Sequence, residues 1–88
     1  MSITKQNVFR HELIGLRAKV IGSSDPGLLG ASGKIIDETK ETLVVEVKGS
    51  PKVVPKSSSK FQIGLPSGGE VVVPGIRILG RPEDRVRR

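Results

Sequence analysis

With 88 residues, 15 Lys and Arg against 9 Asp and Glu, a formal charge of +6 and a pI near 10.2, the chain has room for one small basic domain and favours a polyanionic partner. It has no Cys, which excludes disulfides, a cysteine zinc site and thiol catalysis; its only aromatic residues are Phe9 and Phe61, so the core must be built from Val, Ile and Leu. No apolar run approaches the roughly 18–20 residues of a spanning helix, and the first ten residues lack the apolar centre of a signal peptide, so a cytoplasmic protein without membrane contacts is expected.

Residues 1–6 are polar and read as a flexible start. Asn7 is placed to cap a short helix over residues 7–14, where Val8, Phe9, Leu13 and Ile14 recur at near-helical spacing and Gly15 follows as a stop. So short a helix needs a surface to dock on, either its own domain or another protein. Residues 16–21 alternate, with Leu16, Ala18 and Val20 on one face and Arg17 and Lys19 on the other. A loop rich in turn formers follows, centred on Asp25-Pro26-Gly27. It carries Leu28 and Leu29, which either cap the core or face a partner.

Gly30 and Gly33 precede a hairpin: β-branched runs at residues 34–37 and 42–47 flank a charged turn at 38–41. Both glycines read as backbone-geometry residues, for positive φ or for close approach of another strand. Asp37, Glu38 and Thr39 are expected to fix the turn through local side-chain hydrogen bonds. Residues 52–55 form a short run whose Pro55 implies an edge or a bulge. Ser57–Ser59 form no packing pattern. Phe61, Ile63 and Leu65 alternate, residues 66–69 form a hairpin turn, Val71 and Val73 alternate with Val72, and Ile76 and Ile78 alternate with Arg77. Pro82 suits the first position of a helix, with Glu83 and Asp84 near its positive end.

The reading is mainly β: a small SH3-like or Sm-like antiparallel barrel of five to six strands over residues 16–80. The short helix at 7–14 precedes it and a helical or frayed basic tail at 81–88 follows, in one domain over 1–88. No catalytic set emerges. His11 is the only histidine, and Asp37 and Glu38, adjacent on or beside a strand, point to opposite faces and cannot readily share a metal. No cofactor and no metal site are expected on this chain.

Four blocks then resemble one family: H-E-L-I-G-L at residues 11–16, G-x-x-G-K-I-I-D-E-T-x-x-T-L-V-V at 30–45, V-P-K at 54–56 and G-R-P-E-D-R at 80–85. The chain is similar to ribonuclease P protein component 1 of archaea. The resemblance implies a bent Sm-like barrel with helical extensions, and a non-catalytic subunit of the ribonucleoprotein that removes the 5′ leader from precursor tRNA. The active site would lie in the RNA, with Mg²⁺ expected for that RNA-based holoenzyme. Implied partners are the ribonuclease P RNA, a zinc-ribbon subunit (component 4), the other ribonuclease P proteins and, indirectly, precursor tRNA. The zinc-ribbon subunit would meet the N-terminal helix and nearby barrel surface, giving Val8, Phe9, Leu13, Ile14, Leu28 and Leu29 as candidate contacts.

Without a stacking platform, the chain should grip phosphates and RNA shape with Lys and Arg. Because first and last strands can meet in a small closed barrel, Arg17, Lys19, Arg77, Arg81 and Arg85 are expected on one basic surface, with Lys56 and Lys60 as further candidates. Two other functions fit the same composition. One is a ribosomal SH3-like RNA-binding protein, which shares the glycine corner but not the H-E-L-I-G and R-P-E-D-R blocks. The other is a protein-interaction module without RNA affinity, recognisable by partner binding that salt does not weaken.

Overall fold

The computed structural model describes residue 8 and residues 12–86. Most of the helix expected at 7–14 therefore lies outside the described residues; Glu12 and Leu13 are not helical, and a turn begins at Ile14. Six strands follow: β1 (Arg17–Ser23), β2 (Ser32–Glu38), β3 (Thr42–Val47), β4 (Ser50–Pro55), β5 (Ser59–Gly64) and β6 (Glu70–Pro74). A 3-10 helix (Gly75–Ile78) and a short helix α1 (Pro82–Val86) complete the elements of the described residues.

All strand pairs are antiparallel, in the order β4-β3-β2-β1-β5-β6. Alternation dictates the two faces. Ala18, Val20, Ile35, Leu43, Val45, Val54, Phe61, Ile63 and Val73 turn inward to one core, joined by Val8, Leu13 and Ile78. Register shifts between Val20 and Gly22 and between Ile35 and Asp37 leave Ile21 and Ile36 exposed; such bulges sharpen the bend that wraps the sheet around a core this small.

Closure differs from the expectation. β4 and β6 are the two sheet edges, and the ladder does not join them. β1 lies between β2 and β5, so the first strand does not meet the last. The segment at 76–78 is also not a strand. Gly75 and Ile78 are buried, three residues apart, while Ile76 is 62% exposed. That is the period of a 3-10 turn, not the period of two that alternation suggested. Gly75 is required there, because a Cβ would strike the Lys56 carbonyl. Gly33 plays the same part against the Glu46 carbonyl on β3, whereas Gly30 takes a positive φ of 88° in open space.

Candidate nucleic-acid interface

The outer face of β1, β2 and β5 is built by strand register. Arg17 sits opposite Lys34, which has Glu46 of β3 on its other side without an ion pair between them, and Lys19 sits opposite both Ser32 on β2 and Gln62 on β5. The Ile35 N–H donates to the Leu16 carbonyl and the Val20 N–H to the Ala31 carbonyl. Those bonds fall on even-numbered residues of β1, so Arg17 and Lys34 form the closer, non-hydrogen-bonded kind of pair, with Cα atoms roughly 4.5 Å apart. Two cations directly opposite repel each other. Arg17, Lys19 and Lys34 are exposed and, among the described residues, form no ion pair. A face with this arrangement gains most from an anion laid across it.

Lys34 is the member that sequence reading missed. Its signal was present: it follows Gly33 in a strand whose inward residues are Gly33 and Ile35, so it had to point outward. What the sequence did not supply was the β1–β2 register that sets it beside Arg17. Lys60 is exposed on the same face of β5, two residues before Gln62. Arg77 and Arg81 are exposed but belong to the segment after β6, and no strand pairing sets them beside Arg17. Gly80 N–H donates to the Lys40 carbonyl, which ties the chain next to Arg81 to the β2–β3 turn instead.

Two candidates for RNA contact are corrected outright. Lys56 is 0% and Arg85 1% exposed, and both are spent on Glu38. Lys56 Nζ donates to Glu38 Oε2 at 2.7 Å and to the carbonyls of Thr39 at 2.8 Å and Gly80 at 2.9 Å. Arg85 Nη1 donates to Glu38 Oε2, to Ile78 O at 3.1 Å and to Gly80 O at 2.9 Å, and its Nη2 donates to Glu38 Oε1 at 3.1 Å. Burial pushes the Lys56 ammonium below its ordinary value of 10.5; Glu38 opposes that shift and Arg85 adds to it. The network joins Glu38 at the end of β2, and the turn after it, to the segments that follow β4 and β6.

Glu38 is accordingly not a turn-fixing residue. Asp37 and Thr39 are: Asp37 Oδ1 accepts the Glu38 N–H at 2.8 Å, and Thr39 Oγ1 accepts the Thr42 N–H at 3.1 Å. Among the proposed partner contacts, Val8 and Leu13 are fully buried in the core and unavailable to another protein. Leu28 is half-buried against that core, Phe9 lies outside the described residues, and Ile14 and Leu29 are exposed at 45% and 55%. Among the described residues no three His, Asp or Glu side chains converge as a metal cradle.

Comparison with known proteins places this geometry. Residues 6–88 match the family model described as Ribonuclease P/MRP, subunit p29. The chain is 47% identical over 88 residues to the ribonuclease P protein component 1 of Staphylothermus marinus, covering 99% of this chain and 96% of that one. It is 46% identical over 89 residues to the protein of the same name from Thermofilum pendens, covering 100% and 95%. Among solved structures it is similar, with a TM-score of 0.63 and 38% identity over 85% of this chain and 97% of the other, to Mth11, described as a homologue of human RNase P protein Rpp29.

Proposed function

The chain belongs to the ribonuclease P/MRP subunit p29 family, and from that premise we propose that it serves the tRNA-processing holoenzyme by binding the phosphate backbone of the ribonuclease P RNA across the outer face of β1, β2 and β5. As a subunit of that assembly it contributes to cleavage without being catalytic itself. The observation that carries the reading is the in-register juxtaposition of Arg17 and Lys34, with Lys19 beside them and no acidic side chain bonded to any of the three. Phosphate contacts supply affinity and position without reading sequence. The face carries no aromatic side chain on which a base could stack. Magnesium chemistry in such an enzyme falls to the RNA.

A zinc-ribbon subunit is the protein partner this reading includes, with exposed Ile14 and Leu29 as the apolar contacts still available to it. Reconstitution tests both parts. Leaving this chain out of a mixture of ribonuclease P RNA and the remaining protein subunits should reduce cleavage of precursor tRNA, and the purified chain alone should cleave none. Cleavage by the isolated chain, or full activity without it, would overturn the assignment. Ile14→Asp and Leu29→Asp should weaken capture of the zinc-ribbon subunit while leaving RNA binding intact; capture at wild-type strength would remove those contacts from the account.

A further inference from the structure

Beside the basic residues the outer face carries a shallow depression of about 200 Å³, lined by Arg17, Lys19, Ser32, Gln62, Gly64 and Glu70. Register explains it. One cross-strand row runs through Glu46, Lys34, Arg17, Gly64 and Glu70, and the next through Ser32, Lys19, Gln62 and Val72. Gly64 has no side chain, so the first row has a gap between the Arg17 guanidinium and the Glu70 carboxylate. The polar groups around the gap are uncommitted: Ser32, Gln62 and Glu70, like the two cations, make no hydrogen bond or ion pair through their side chains among the described residues.

We propose that this depression is a subsite for one ribose-phosphate unit of RNA, with Arg17 and Lys19 taking the phosphate and Ser32, Gln62 and Glu70 meeting the ribose 2′-hydroxyl. The inference rests on the outer face being the RNA-binding face, and deepens that reading. Arg17 and Lys19 lie two residues apart on one strand, roughly 6.7 Å along it, so both reach one backbone segment. A lone anion site would not gain from a carboxylate on its rim; Glu70 accepts hydrogen bonds only and suits a hydroxyl donor. Ser32 and Gln62 both donate and accept, which matches a hydroxyl that does the same. The 2′-hydroxyl is the group by which a protein tells RNA from DNA. The depression therefore supplies chemical discrimination that charge alone cannot.

The test compares binding of single-stranded RNA and DNA oligonucleotides of one sequence at fixed salt. The wild-type chain should prefer RNA. The double variant Ser32→Ala/Gln62→Ala removes no charge, so its salt dependence should match wild type and its DNA affinity should be unchanged, while its RNA affinity falls about fivefold. Both positions are on the solvent side of the sheet, so an unchanged urea midpoint will show that the variant is folded. Equal wild-type affinity for RNA and DNA, or a parallel loss for both polymers in the variant, would overturn the subsite. Arg17→Gln/Lys19→Gln separates the two claims. It should weaken both polymers and flatten the salt slope; if it does so while the neutral variant changes nothing, only the ribose subsite fails. If it changes neither polymer, the basic face itself fails and the subsite falls with it.

Discussion

Replacing Glu38 with Gln should be the most damaging isosteric change in the molecule. Among the described residues, the Glu38 carboxylate is the anion that pairs with two buried cations, Lys56 and Arg85. Gln keeps the shape and one acceptor oxygen, but it removes the negative charge that both buried cations share. Breaking a buried pair in this way costs about 3–5 kcal/mol. A domain of 88 residues has in all about 4–13 kcal/mol of stability. The melting temperature should then fall by roughly 12–40 °C, at about 4–8 °C per kcal/mol for a domain this size. Arg85→Met is the informative contrast. It leaves the neutral Glu38–Lys56 pair intact, with Lys56 still bonded to Thr39 O and Gly80 O, and loses the Arg85 bonds to Ile78 O, to Gly80 O and to the carboxylate. Its cost should be smaller, about 1.5–3 kcal/mol. In the double variant only one cation is left unpaired, so the two changes together should cost less than their sum. Urea titrations of the four proteins measure this directly. A Glu38→Gln cost below about 1 kcal/mol, or an Arg85→Met cost equal to or above it, would refute the view that this carboxylate compensates two buried charges.

Lys56 also predicts a pH dependence. Its ammonium is held below 10.5 by burial, so in the window just under that value the unfolded chain binds more protons than the folded one, and this group makes stability rise with pH. The urea midpoint of wild type relative to Lys56→Met should climb across that window; a difference that falls instead would reverse the sign of the argument. The two glycines of the corner separate space from backbone conformation. Gly33→Ala drives a Cβ into the Glu46 carbonyl and should cost about 3 kcal/mol or more, because the β2–β3 ladder must part. Gly30→Ala meets nothing within 4 Å and pays only for its positive φ, about 1–2 kcal/mol. Equal costs in urea titrations would show that the close approach at Gly33 does not constrain the sheet.

Strand content was legible in the sequence because period-two alternation is a local property. Arg17 and Lys19 against Ala18 and Val20 assigned both faces of β1 without any knowledge of its neighbours, and of the edge or bulge that Pro55 implied, β4 is an edge. Long-range register was not legible. The β1–β5 pairing keeps β1 from pairing with β6, which removes the strand contact on which the expectation of one basic surface joining Arg17 to Arg77 rests. The same limit hid the partnership of Lys34 with Arg17. Lys56 and Arg85 looked like solvent cations because nothing in their own neighbourhoods announces burial; only the fold brings them to Glu38, from positions 18 and 47 residues away in sequence. Ile76 and Ile78 imitated a strand over three residues, too short a window to tell a period of two from a period of three.

The salt dependence of binding to ribonuclease P RNA tests the account most directly. If phosphates lie across the outer face of β1 and β2, Arg17→Gln/Lys19→Gln/Lys34→Gln removes three contacts and should lower the slope of log K against log salt by about 2–3. A triple variant that is folded, yet binds the RNA with the wild-type slope, would show that the nucleic acid is held somewhere else on the molecule.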